Sequence, residues 1–331
     1  MQCLVTGATG FLGTNLVHEL VEQGWQVRAT GMHGSESKYI KDLPIDFSYA
    51  DITKPSEIDK LVEGCDVVFN VAGDTSFWKK NFARQRHINI DGAVNIAKAC
   101  QKHRVKRLIH TSTLDVLGYN PTGGSYDEVS GHYNFSNMGY NYGDSKLEAE
   151  VQLRAFNGPG LEVVFINPGF MVGPYDYTLQ IGRVFFDLAE RKLPACPPGG
   201  GSFCHVREVA KAHIAAVERG KPGENYLCAG IQETNIPYVD MFGRMAQAIE
   251  AKPVRRVMPR KLFVLYGYAC EWFAQFTKKP PEMNPGQARY MSAPQYAISG
   301  KAINELGYKV PSVETCIDDA LIWYRTEGYK I

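Results

Sequence analysis

The chain has 331 residues, 44% hydrophobic and 21% charged, with 36 Lys+Arg against 35 Asp+Glu. That length supplies a substantial core for one large or two modest domains. The formal net charge of +1 gives no electrostatic basis for a nucleic-acid partner or for attraction to an anionic membrane. The longest strongly apolar stretch, Leu262 to Phe276, contains Glu271 and is too short and too polar to be an integral membrane segment. The chain opens directly into strand-like Cys3-Leu4-Val5 with no leader-like segment, so a cytoplasmic protein is expected. Eight cysteines, Cys3, Cys65, Cys100, Cys196, Cys204, Cys228, Cys270 and Cys316, lie singly in apolar surroundings and form no C-x-x-C pair. They read as buried small hydrophobes in a reducing compartment, and no metal centre is expected.

In chain order, Cys3-Leu4-Val5, Trp25–Thr30, Val67–Val71, Arg107–Thr111 and Val163–Ile166 have the Val/Ile/Leu-rich character of strands buried on both faces. Phe11–Gln23, Pro55–Glu63, Ile88–His103 and Tyr142–Phe156 between them have helical patterns. This alternation predicts an α/β fold, a Rossmann-type doubly wound parallel sheet. After Pro174 the pattern loosens. Pro194–Gly201 reads as a loop, Asn225–Cys228 as a short strand, and Tyr238–Glu250, Arg260–Phe276, Lys301–Leu306 and Val313–Glu327 as helices. The expected division is a dinucleotide-binding domain over 1–174, with 203–230 returning to it, and a smaller, mostly helical substrate-binding domain over 175–331.

Thr6-Gly7-Ala8-Thr9-Gly10-Phe11-Leu12-Gly13 follows the first strand and opens the first helix. Glycines there permit a tight turn and a close backbone approach to a pyrophosphate, while the helix N-terminus supplies N–H donors and a positive dipole. Gly7, Thr9, Gly10, Phe11, Leu12 and Gly13 are therefore cofactor-binding candidates. The spacing is G-x-x-G-x-x-G. With Ala50-Asp51-Ile52, Asn70-Val71-Ala72-Gly73, Asn89 with Gly92 and Asn95, Thr111-Ser112-Thr113, Tyr142-Gly143-Asp144-Ser145-Lys146, Asn167-Pro168 and Phe203-Cys204-His205-Val206, it resembles an extended short-chain dehydrogenase/reductase of the NAD-dependent epimerase/dehydratase superfamily. The resemblance runs over essentially the whole chain and is to the dihydroflavonol-4-reductase and 3β-hydroxysteroid-dehydrogenase-like branch.

The resemblance implies that Asp51 and Ile52 flank the adenine. It also implies that Ala72, Gly73, Asn89, Thr111 and Pro168 line the cofactor, and that a homodimer forms. No acid stands near Gly31, where a carboxylate would accept the ribose hydroxyls of NAD and repel the extra phosphate of NADP. Reductases of this branch often carry Arg where Met32 stands. Arg28, His33, Ser35 and Lys38 are candidate phosphate contacts, each also readable as a solvated loop residue. The reading favours NADP(H), with NAD(H) open.

Tyr142 and Lys146, four residues apart on a predicted helix, share one face. A carbonyl that accepts hydride also needs a proton, and an ammonium beside a tyrosine favours the phenolate and lowers its pKa. The resemblance places the third catalytic hydroxyl on Thr113, with Ser112 second. Thr113, Tyr142 and Lys146 are the predicted catalytic residues, and Tyr142 and Lys146 also contact the cofactor. Family dehydratases carry an acid pair after the Thr113 position; here Leu114 and Asp115 stand there, which argues against dehydration.

The expected reaction interconverts a ketone or aldehyde and an alcohol on a hydrophobic small-molecule substrate, aromatic, steroid-like or lipid-like. Phe77, Trp78, Phe135, Met138, Phe170, Met171 and the stripe Leu262, Phe263, Leu265, Tyr266, Trp272, Phe273 and Phe276 are candidates for an apolar pocket. The same stripe also reads as core, as a membrane-surface contact or as a partner contact. Two alternatives stay open. One is a sugar-nucleotide epimerase with tightly held NAD, its diphosphate bound by Arg183, Arg207, Arg255 or Arg256; the other is a non-catalytic NADP-sensing regulator.

Overall fold

The computed structural model describes all residues 1–331. Strands β1 (Gln2–Thr6), β2 (Gln26–Gly31), β3 (Asp46–Tyr49), β4 (Val67–Asn70), β5 (Arg107–Thr111) and β6 (Glu162–Pro168) join β9 (Asn225–Cys228) in a seven-stranded sheet. The order is β3-β2-β1-β4-β5-β6-β9, and every pairing is parallel. Parallel strands need crossovers, and these cover both faces with helices. Helices α1 (Phe11–Glu22), α7 (Val206–Arg219) and α11 (Gly300–Leu306) lie on one face; α2 (Pro55–Val62), α4 (Ala93–Lys102) and α5 (Asn141–Arg154) lie on the other. The chain thus forms the doubly wound sheet its alternating pattern predicts. The order reverses between β1 and β4, which opens a crevice at the carboxyl ends of these strands.

A smaller layer sits over that end. In it β8 (Gly200–His205) pairs with β7 (Phe170–Val172), β10 (Asn235–Pro237) and β11 (Pro294–Gln295). Phe185, Phe203, Tyr238, Met241 and Tyr324 pack this layer together with α6 (Arg183–Ala189), α8 (Tyr238–Ala248) and α12 (Val313–Thr326). Two more helices, α9 (Arg260–Thr277) and α10 (Pro285–Tyr290), close one side.

The structure corrects several local expectations. Gly200 and Gly201 belong to β8 rather than a loop: a Cβ on Gly201 would stand 2.5 Å from the Phe170 ring, so glycine is what lets the two strands approach. β3 escapes a hydrophobicity reading because its residues Asp46-Phe47-Ser48-Tyr49 form a half-exposed edge strand. The helix expected from Ile88 starts earlier, at α3 (Phe82–Arg86), and reaches α4 through a π-turn over His87–Gly92 that contains Asn89. Such turns are rare and concentrate at functional sites.

Candidate active site

The Gly-rich turn joins β1 to α1. Gly7 has φ +66°, and a Cβ there would stand 2.7 Å from the Ala72 Cα at the end of β4. A Cβ on Gly13 would lie 2.1 Å from the Gly7 carbonyl oxygen. Gly10 caps α1 with no side-chain hydrogen bond, and no acid occupies the first turn. The first-turn amides and the positive end of the helix therefore face a cavity of about 380 Å³ lined by Gly7, Gly10, Phe11, Leu12 and Gly13, a donor set that fits a pyrophosphate. The cavity continues past Gly73 and Pro168 to Thr113, Tyr142 and Lys146. Gly13→Ala is expected to abolish dinucleotide binding, a loss of at least about a hundredfold in affinity. A fluorescence titration checks it, and near-unchanged affinity would show that the turn is not the phosphate site.

Lys146 projects from α5 to the end of β5. Its Nζ donates to the Thr111 carbonyl at 2.6 Å and lies 3.4 Å from His110 Nε2. Burial pulls its pKa down to about 8, against the pull of Glu150. A chain of bonds across the sheet adds to this. Thr6 accepts from the Ala72 amide and donates to Asn70 Oδ1 at 2.9 Å, which turns Asn70 Nδ2 toward His110 Nδ1 at 3.0 Å. A neutral His110 then carries its proton on Nε2 and presents an N–H to Lys146, a contact that disfavours the ammonium. His110 is held neutral, well below its ordinary pKa, by burial and by the Lys146 charge.

Tyr142 shares the cavity wall with Lys146. The expected depression of its pKa is absent from the free protein. Burial and the negative charge of Asp115 push the phenol well above its ordinary value, and the Thr113 hydroxyl offsets them only in part. Thr113 itself is tied to Asp115: Oγ1 donates to Asp115 Oδ2 at 2.9 Å and accepts from the Asp115 amide at 3.3 Å. Tyr140 donates to the same carboxylate oxygen at 2.7 Å and Tyr290 to Oδ1 at 2.9 Å. Asp115 is buried, which raises its pKa while the three hydroxyls lower it. An ionised Asp115 holds the Thr113 proton, whereas a protonated one returns the donor role and frees that proton for a ligand. Ser112 also faces the cavity, with a buried hydroxyl that has no partner in the protein.

Asn167 and Glu150 hold this region from behind. Asn167 Nδ2 donates to the Thr113 carbonyl at 3.0 Å and to Glu150 Oε1 at 2.9 Å. Neither the Asp115 knot nor this brace is foreseen by sequence reasoning, although Asp115 carries a signal: an acid two residues after the candidate hydroxyl.

Other candidates fall elsewhere. Asn89 turns its side chain to the backbone of Asp74 and to Ser145 Oγ, pinning the loop after β4 to α5. Thr111 lines the cavity, but its hydroxyl is committed to His213 Nε2 on α7 at 2.8 Å. Asp51 accepts from the Thr53 amide and hydroxyl, and Ile52 packs against Gly92. Arg28 is a correction: its guanidinium is committed to Asp46 and to the Leu61 and Glu63 carbonyls at the C-terminal end of α2, so it faces away from the turn. Lys38 pairs with Glu327, and His33 stands 3.8 Å from Glu57. Ser35 does reach the turn, accepting from Thr9 Oγ1 at 2.9 Å.

The apolar part of the cavity comes from Phe77, Phe170, Met171, Ile181, Tyr290 and Met291. Trp78, Phe135 and Met138 do not line it; Phe135 is buried behind Tyr140 and Tyr290. The stripe on α9 does not line it either, and most of it faces solvent. Lys146 is the cavity's one basic side chain; Arg183, Arg207, Arg255 and Arg256 all lie outside it.

Residues 3–229 match the NAD dependent epimerase/dehydratase family, and the chain belongs to it. Within that family it stands with the extended short-chain dehydrogenase/reductases of the dihydroflavonol-reductase and 3β-hydroxysteroid-dehydrogenase-like branch, NAD(P)-dependent oxidoreductases. It is 28% identical to sterol demethylase protein B of Methylococcus capsulatus over 342 residues, covering 99% of each chain. It is 27% identical to 3beta-hydroxysteroid-dehydrogenase/decarboxylase isoform 1 of Arabidopsis thaliana, over 92% of this chain and 75% of that protein. Among solved structures, that of gox2253 superposes with a TM-score of 0.84 at 28% identity, covering 99% of both chains.

Proposed function

We propose that this protein is an NADP(H)-dependent oxidoreductase that interconverts a ketone or aldehyde and an alcohol on a hydrophobic substrate with an aromatic, steroid-like or lipid-like skeleton. The observation that carries the reading is the cavity itself. An apolar wall of Phe77, Phe170, Met171 and Met291 adjoins Thr113, Tyr142 and Lys146, with no cation beyond Lys146 to meet the diphosphate of a sugar nucleotide. The sterol and hydroxysteroid skeletons in the relatives' names agree with such a wall. On this reading residues 1–174 and 203–230 hold the dinucleotide, and the rest of the chain, apart from α11 on the sheet, mainly shapes the substrate end.

When bound, the dinucleotide supplies or accepts the hydride. The first-turn amides of α1 would hold its pyrophosphate, and Gly73 and Pro168 line the cavity between that turn and Tyr142. In the reductive direction Tyr142, and Thr113 once a protonated Asp115 has freed its proton, hydrogen-bond the carbonyl oxygen. Tyr142 gives that oxygen its proton as the carbon is reduced, and the Lys146 ammonium stabilises the phenolate left behind. Solvent then returns the proton to Tyr142.

The preference for NADP(H) is supported by the missing carboxylate at the end of β2, where Gly31, Ser35 and Thr9 cluster. A titration of protein checked free of carried cofactor is expected to give tighter binding of NADPH than of NADH. Met32→Arg, at an exposed position beside that cluster, is expected to tighten NADPH roughly tenfold and leave NADH unchanged. Tightly retained NAD with no net cofactor turnover would instead establish the epimerase.

A further inference from the structure

α9 is two-faced in an unusual sense: its outer face is the more apolar one. Phe263, Gly267 and Ala274 are buried beneath it. Leu262, Leu265, Trp272, Phe273 and Phe276 are 55–66% exposed. At about 100° per residue these five fall within roughly a third of the helix circumference, on the side opposite the buried three. Trp272 and Phe276 already stack edge to face, with centroids 4.9 Å apart. Single exposed apolar residues are ordinary, but a contiguous strip of five including three aromatic rings marks a contact surface.

The charge around the strip identifies what it contacts. Between residues 252 and 279 stand Lys252, Arg255, Arg256, Arg260, Lys261, Lys278 and Lys279 against Glu271, and the one further acid that reaches α9 is Glu282, which accepts from the Tyr266 hydroxyl at 3.0 Å. All seven basic residues are exposed, and none forms an ion pair within 4.0 Å. The overall charge of +1 conceals this concentration, because the remaining charges sum to an acidic balance. An aromatic strip bordered at both ends by free cations is complementary to an anionic lipid surface, where rings enter the headgroup boundary and ammonium and guanidinium groups meet phosphates. A second copy of the chain would instead bring seven like charges against seven.

We propose that α9 docks this protein peripherally on anionic bilayers. The site is distinct from the reaction centre but adjacent to it. Gly267 lets α9 press on Asn284, which caps α10 and also bonds the Phe77 carbonyl. α10 in turn supplies Gln287 and Tyr290 to the cavity wall. Docking through α9 sets that wall near the lipid, where an apolar substrate concentrates.

Co-sedimentation of the full chain with phosphatidylcholine vesicles and with phosphatidylcholine/phosphatidylglycerol vesicles tests this, with Trp272 fluorescence as a second readout. Binding is expected to the anionic vesicles only, falling as salt rises. Trp272→Ser/Phe273→Ser/Phe276→Ser is expected to weaken it roughly a hundredfold, and Arg255→Gln/Arg256→Gln by roughly twentyfold. Both variants change exposed residues, and unaltered thermal unfolding confirms that they fold. No binding to either vesicle overturns the proposal, as does equal binding by the aromatic variant. It also fails if the wild type sediments as a dimer that the aromatic variant dissolves, with no vesicle bound.

Discussion

Tyr142→Phe is expected to lower the rate of carbonyl reduction by about a thousandfold while changing NADPH affinity by less than about threefold. The loss falls on turnover because the hydroxyl removed is the proposed proton donor, whereas the proposed dinucleotide site rests mainly on the turn at Gly7–Gly13. Burial and the Asp115 charge keep Tyr142 protonated throughout the neutral range, which suits a donor in the reductive direction. The pH profile follows from its neighbour. Lys146 is an ammonium below about 8 and neutral above, so its stabilisation of the nascent phenolate is present below that value and lost as pH rises through it. Reductive kcat/KM should be flat from mildly acidic pH to neutrality and decline above about 8, while alcohol oxidation, which needs the phenolate, rises with pH. Steady-state kinetics in both directions measure this. A phenylalanine variant within tenfold of wild type would remove Tyr142 from the proton transfer.

How much of this was legible in the sequence depended on whether the cause was local. The Gly-rich turn needs only β1, seven residues and α1, and Tyr142 and Lys146 need only one helical turn; the structure places all of them in one cavity. For residues whose partners are distant in sequence, the sequence did not show the role. Asp115 gains its role from Tyr140 and Tyr290, and Lys146 is biased by an Asn70–His110 contact that exists only because β4 and β5 pair in register. Charge alone also misled. Arg28 seeks an acceptor, and it finds the carbonyls ending α2. On α9, periodicity correctly showed an amphipathic helix yet said nothing about which face turns inward.

Lys146→Met is expected to inactivate reduction and, at the same time, to stabilise the cofactor-free protein near pH 6–7. The two effects have one origin. Lys146 titrates at about 8 in the folded protein against 10.5 when unconstrained, so folding opposes its charge. With the folded value depressed, the unfolded chain binds more protons between about 8 and 10.5, and wild-type stability rises with pH across that window. Below it the whole cost is present, on the order of 3 kcal/mol for that gap. Methionine keeps most of the aliphatic volume and removes the charge, but it forfeits the bond to the Thr111 carbonyl, worth about 1–2 kcal/mol. The net expectation is a gain of about 1–2 kcal/mol, a few degrees in Tm, at pH 6. That gain shrinks above pH 8 and reverses near pH 10.5, where only the lost bond remains. Thermal unfolding of both proteins at pH 6 and pH 10 reads the difference. A variant less stable than wild type at pH 6 would mean that the buried ammonium is compensated in the free enzyme. The decline of reduction above pH 8 would then need a different titrating group, because Lys146 would keep its proton well beyond that pH.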